Sequence, residues 1–192
     1  VLFEWGLLPC DELAGDALNV IKLDDTHAGF YLLDVSGHGV AAALLAMTLI
    51  HTLSADKPNS VLYERKGGPD KDFVIRSPSK VAETLNNQFP MDDVIGQYFT
   101  LIYGILDLET LRVRYVSAGH PGPVIISSRD NPRSLPSTGM PMGFIADNKY
   151  EEGSFQMQSG DHLYFFSDGI IESTNKYGEQ FGNERLLRIL NQ

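Results

Sequence analysis

The stretch from Gly29 to Val40 limits what this chain can fold into more than any other. Phe30-Tyr31-Leu32-Leu33 is apolar and rich in aromatic and branched side chains, the pattern of a buried strand. It runs into Asp34-Val35 and stops at Ser36-Gly37-His38-Gly39, a turn signal. Ala41 to Leu53 then offers Ala, Leu, Met and Ile almost all round, which predicts a deeply buried helix. A carboxylate is thus set at the end of an apolar strand, beside glycines, just before an apolar helix.

The rest of the chain extends this into a layered pattern. Val20 to Leu23 is a short apolar run. Ser54 to Asp72 is polar, contains Lys66-Gly67-Gly68-Pro69, and predicts a mobile loop. Ser77-Pro78 reads as an N-cap followed by proline at the first helical position, with Val81, Leu85 and Phe89 on one face. Phe99 to Leu106 and Leu111 to Ser117 predict a hairpin around Asp107-Leu108-Glu109-Thr110. Shorter strands are expected at Val124 to Ile126, Gly153 to Met157 and His162 to Phe166, and a closing helix at Asn183 to Leu190. Antiparallel-type strands with grouped helices predict an α+β domain, two stacked sheets with helices outside.

Bulk properties narrow the function classes. A chain of 192 residues, 43% hydrophobic, suits one globular domain with a substantial core. The net charge of -10 argues against nucleic acid and against anionic lipid, so neither is expected as a partner. A single cysteine, Cys10, excludes an internal disulfide and a thiolate metal cage, and a cytoplasmic setting is expected.

Three segments share one design: Ala14-Gly15-Asp16, Leu33-Asp34-Val35-Ser36-Gly37, and Phe165-Phe166-Ser167-Asp168-Gly169. Each puts an aspartate at the end of an apolar run or beside glycine. Such a carboxylate is costly unless it is solvated, hydrogen-bonded or neutralised by a cation. Oxygen donors without clustered Cys or His favour Mg²⁺ or Mn²⁺ over zinc. A lone Asp-Gly after a strand is more often just a turn, and spacing does not show whether the three segments meet.

The run from Gly29 to Val40 with Ala41-Ala42-Ala43-Leu44-Leu45 resembles the signature of PPM-type (protein phosphatase 2C-like) phosphatases, in the branch of stage II sporulation protein E and RsbU. Leu7-Leu8-Pro9, Gly15-Asp16, Phe99-Thr100-Leu101, Ser117-Ala118-Gly119-His120-Pro121, Gly139-Met140-Pro141-Met142-Gly143 and Ser167-Asp168-Gly169-Ile170-Ile171-Glu172 follow in the family's order. The resemblance covers nearly the whole chain, 1–192 as one domain. It implies an αββα fold, a two-layer antiparallel β-sandwich flanked by helices, with two Mn²⁺ or Mg²⁺ ions at one end. By carry-over Asp34 bridges both ions, the Val35 carbonyl assists, Asp168 binds one ion and Asp16 holds the site directly or through water. The implied reaction is hydrolysis of phosphoserine or phosphothreonine by metal-activated water.

The resemblance also implies partners: a phosphorylated STAS-domain anti-sigma-factor antagonist or a similar phosphoprotein, and a sensory or receiver domain upstream in the same chain. A homodimer is compatible with it. A further acidic ligand of the family, in an Asp-Asp-x-Thr segment, has no counterpart before Gln192, so a last strand is expected beyond it. Asn19 stands where many relatives carry an acidic residue.

Other residues receive plainer roles. His38 is read as a turn or helix-start residue, since the histidine of eukaryotic members falls at the position of Ser36. His120 is read as shaping a loop near the site, outside catalysis. A Ser36–His38–Asp34 triad is disfavoured because neighbours on one turn rarely have that geometry. Met140, Met142 and Phe144 are read as core rather than substrate surface. The alternatives are a phosphatase-fold module that binds its partner without turnover, and a hydrolase of small phosphoesters.

Overall fold

Two antiparallel sheets account for most of the strands, and one nine-residue strand explains how they stack. The computed structural model describes residues 1–8, 15–56, 58–66, 72–91, 96–127 and 130–190. Strand β2 (His27–Val35) lies between β1 (Ala17–Lys22) and β5 (Phe99–Asp107). β6 (Arg112–Ala118) and β9 (Gly153–Gln156) complete a five-stranded sheet in the order β1-β2-β5-β6-β9. Alternate side chains of a strand point to opposite faces, and in β2 both sets are apolar.

Phe30 and Leu32 turn one way, where Leu163, Phe165 and Leu135 pack against their face together with Ile102, Leu106, Val113 and Tyr115. Leu163, Phe165 and Leu135 belong to or adjoin a second sheet, β10 (His162–Tyr164), β7 (Val124–Ser127) and β8 (Asp130–Ser134), in the order β10-β7-β8. Tyr31, Leu33 and Val35 turn the other way, into the larger cluster with helices α1 (Val40–Thr52) and α2 (Pro78–Gln88). On the far side of the small sheet, Val124 and Phe166 pack with Leu186 and Leu187 of α4 (Gly182–Leu190). The layers therefore run helix, sheet, sheet, helix, as expected.

Local chemistry explains the hairpin between β5 and β6. The Asp107 carboxylate accepts hydrogen bonds from the Glu109 and Thr110 backbone N–H groups, both at 2.9 Å, closing an Asx-type turn. Helix α2 starts where Ser77-Pro78 predicted, but the Ser77 side chain makes no cap hydrogen bond. The Ser79 N–H in the first turn is satisfied instead by the Glu152 carboxylate at 3.1 Å, from just before β9.

Two expectations change. The segment read as a mobile loop contains β3 (Tyr63–Arg65), which pairs with β4 (Phe73–Ile75), and buries Val61, Leu62 and Tyr63; Gly67, Gly68 and Pro69 lie outside the described residues. Helix α1 is not buried all round. Ala42, Ala46 and Leu49 face the sheet, while Val40, Leu44 and Met47 are each about 60% exposed or more. Leu49→Ala should therefore cost about 3 kcal/mol through lost burial and a residual cavity. Leu44→Ala on the open face should cost under about 0.5 kcal/mol. Urea unfolding of the two variants measures the difference.

Candidate metal-binding active site

The strand registers place the acidic loop ends at one end of the larger sheet. Asp34 is the next-to-last residue of β2 and lies opposite Thr100 of β5. Gly15, just before β1, is tied to the same end because its carbonyl accepts from the Val35 N–H at 3.4 Å. Asp16 follows directly, close enough to Asp34 for the two carboxyl groups to share a hydrogen bond. Asp168 opens the short helix α3 (Asp168–Glu172), which begins four residues after β10.

Asp34 reports the company it keeps. Its pKa is pushed up to about 7, first by burial, then by the hydrogen bond and charge of Asp16, then by the charges of Asp168 and Glu172. Asp16 and Asp168 thus both act on Asp34, a relation that spacing in the sequence did not show. Glu172 joins them, and its role was missed. Its signal lay in the spacing, since residues four apart on a helix share a face and Glu172 sits four after Asp168. Asp16 is in contact with Asp34, whereas Asp168 and Glu172 act on it through charge alone.

The donor set fits a hard divalent cation. Asp16 lies beside the partly buried Asp34, the charges of Asp168 and Glu172 reach it, and among the described residues none of the four is in a salt bridge. Like charges this close raise one another's ionisation cost, and a cation removes that cost. Among the described residues, no three His, Cys, Asp or Glu side chains close on a common point as a ready-made cage.

The turn after Asp34 is clamped. Ser36 donates its N–H to the Tyr98 carbonyl at 2.9 Å, and its Oγ accepts the Tyr98 N–H at 2.9 Å. That exchange commits the Ser36 hydroxyl to the backbone, and His38 is exposed, so no triad is assembled. Tyr98 in turn stacks edge-on with Phe144, ring centres 4.7 Å apart. Met142 is fully buried as expected, but Met140 and Phe144 are nearly half exposed, so those two are surface rather than core.

His120 is 2% exposed. Its Nδ1 lies 2.8 Å from the Thr100 Oγ1, and its carbonyl accepts the buried Ser117 hydroxyl at 2.7 Å. Burial pushes its pKa down to about 4 against the opposing pull of Asp168 and the Phe166 carbonyl, so the ring is neutral near pH 7. Gly119, at φ +68, hands the chain to His120 in a left-handed conformation. Cys10, Pro9 and Ala14 lie outside the described residues.

Comparison with known proteins gives the fold and the family. The Stage II sporulation protein E (SpoIIE) family matches residues 24–192. The phosphoserine phosphatase RsbP of Bacillus subtilis is 29% identical over 167 residues, covering 85% of this chain and 38% of RsbP. The chain therefore spans well under half the length of that relative. The PP2C phosphatase domain of Bacillus subtilis SpoIIE superposes with a TM-score of 0.71 at 20% identity, over 94% of this chain and 47% of that one. RsbX, solved in complex with magnesium, superposes with a TM-score of 0.62 at 15% identity, over 84% of this chain and 69% of that one. These likenesses give the fold, PP2C-like with two sheets between helices, and the family match gives the membership. This chain belongs to the SpoIIE family of PP2C-type phosphatase domains.

Proposed function

We propose that the chain is a metal-dependent protein phosphatase domain that hydrolyses phosphoserine or phosphothreonine on a bacterial signalling protein. The observation that carries this reading is the setting of Asp34, partly buried, beside Asp16 and within reach of the charges of Asp168 and Glu172, where burial first and those carboxylates next raise its pKa to about 7. A partly buried carboxylate whose neighbours are further carboxylates is costly alone, and a cation offsets that cost.

In this reading Asp34, Asp16, Asp168 and the Val35 carbonyl would hold two divalent cations, Mn²⁺ or Mg²⁺. When bound, the ions lower the pKa of a shared water and offset charge on the phosphoryl oxygens. The chain's own groups supply placement. The Ser36–Tyr98 exchange fixes the turn carrying Asp34 and Val35 by continuing the β2–β5 ladder one residue beyond Val35 and Phe99. RsbP is itself a phosphoserine phosphatase, which supports a phosphoprotein substrate here, a phosphorylated STAS-domain anti-sigma-factor antagonist or similar protein. An upstream sensory or receiver domain and a cytoplasmic setting complete the proposal. Among the described residues no helix is long and apolar enough to cross a membrane.

The test is Mn²⁺-dependent release of phosphate from a phosphorylated STAS protein by the full-length chain, with Asp34→Ala as control. The expected outcome is turnover abolished by chelator and by the substitution. Turnover indifferent to Asp34 overturns the mechanism, and turnover of small phosphoesters alone overturns the protein substrate.

A further inference from the structure

Phe144 is held in solvent by a backbone that is itself firmly pinned. Its side chain is 42% exposed, and that of Ile145 beside it is 49% exposed. Both chain neighbours of Phe144 are fixed by one buried residue of α2. Asn86, 2% exposed, accepts the Gly143 N–H on Oδ1 at 2.9 Å and donates Nδ2 to the Ile145 carbonyl at 2.8 Å. The same Oδ1 also accepts the Tyr150 hydroxyl at 3.1 Å. The Gly143 carbonyl accepts the Met91 N–H at 3.1 Å, and Gly143 turns the chain at φ +93. A buried amide satisfied at both ends specifies one backbone course, so Phe144 cannot fold inward without breaking it.

This aromatic lies next to the acidic end of the larger sheet. Its ring packs on Tyr98, centres 4.7 Å apart. Tyr98 exchanges hydrogen bonds with Ser36, two residues after Asp34, and stands two residues before Thr100, the register partner of Asp34. Two residues of extended chain cover about 7 Å. A phosphoserine presented at Asp34 would therefore bring residues two to four places away, at about 7–14 Å along an extended segment, within reach of Phe144 and Ile145. The chemistry of the patch says what it can receive. From Ser134 to Asn148 the chain has no Lys or Arg, so this segment offers no charge to a phosphate. The net charge of -10 also gives an anionic phosphoprotein little steering, which leaves contact rather than charge to hold the segment. Rigid, half-exposed aromatic and branched side chains suit an apolar side chain.

We propose that Phe144 and Ile145 form a shelf that receives an apolar side chain two to four residues from the phosphoserine of the substrate. The inference rests on the phosphatase reading of the neighbouring site and adds a substrate preference to it. The shelf touches neither the phosphate nor a cation. Asn86 acts behind it, as the residue that holds it in place.

Two phosphoserine peptides of equal length and charge test this, one with Leu and one with Ser at positions two to four on both sides. Phosphate release with Mn²⁺ by the full-length protein gives kcat/KM for each, and calorimetry gives their affinity for Asp34→Asn, which releases no phosphate. The Leu peptide is expected to be favoured about tenfold in both measurements. Phe144→Ser should bring the ratio close to one, and Phe144→Leu should keep most of it. If Phe144→Ser does not fold, Ile145→Ser carries the same test. A wild-type protein that treats the two peptides alike overturns the proposal, as does a Phe144→Ser that loses equally on both. A variant that dissociates a dimer while keeping the ratio assigns the patch to contact between copies and also overturns it. Release from p-nitrophenyl phosphate but from neither peptide removes the shelf and leaves a phosphatase; release from none of the three removes the phosphatase reading as well.

Discussion

Asp34→Asn should abolish turnover and at the same time make the metal-free protein more stable at pH 8. The two effects have one cause. Asn keeps the shape of Asp but cannot supply the charge that holds cations, and loss of that charge should lower kcat by about a thousandfold or more, near 4 kcal/mol of barrier. Without metal the same charge is a burden. Burial and the carboxylates of Asp16, Asp168 and Glu172 raise the Asp34 pKa from 3.8 to about 7.

The sign follows from proton uptake. Between about pH 4 and pH 7 the folded protein holds a proton on Asp34 that the unfolded chain has released. The contribution of this group to stability is therefore complete below about pH 4 and is lost as the pH rises through about 7. The displacement corresponds to about 4 kcal/mol at face value, and solvent screening of a partly exposed carboxylate reduces it to about 1–2 kcal/mol. In chelator at pH 8, Asp34→Asn should melt about 2–8 °C above wild type, with the gap closing toward pH 5. Adding Mn²⁺ should reverse the order. A variant that keeps a tenth of wild-type activity, or that melts lower than wild type in chelator, removes Asp34 from the centre of the site.

Much of this site was legible in the sequence, for reasons that particular residues make plain. Asp16, Asp34 and Asp168 each stand at the end of an apolar run or beside a glycine, and that misfit is visible without coordinates. Strand β2 was legible because Phe30 to Val35 is apolar on both faces, which only a strand covered on both sides tolerates. Convergence was not legible from chemistry alone. It depends on the antiparallel register of β2 with β5 and on where the second sheet lies, and both are set by contacts far apart in sequence.

The open face of α1 escaped for a related reason. A helix apolar all round says nothing about which side the sheet will cover, and the structure covers Ala42, Ala46 and Leu49. Strands β3 and β4 were hidden because three-residue strands in a polar stretch give no period to read. Glu172 was quoted within a motif, yet its link to Asp34 appears only when α3 turns it back toward the site.

The loop that carries His120 yields the second large effect, Gly119→Ala. Gly119 has φ +68, and a Cβ built there would lie 2.4 Å from the Pro141 Cγ and 2.8 Å from the Pro141 Cα. The second contact is with backbone, and Gly119 and Gly139 are already joined at 2.7 Å, so neither chain can step back without breaking that bond. Gly37 provides the control. It too has positive φ, at +86, but a Cβ there meets nothing within 4 Å. Gly37→Ala should therefore show the conformational cost alone, about 1 kcal/mol. Gly119→Ala should add the clash and cost about 3 kcal/mol, lowering the melting temperature by about 6–12 °C. Equal melting shifts in the two variants would mean that the Pro141 contact does not hold this loop in place.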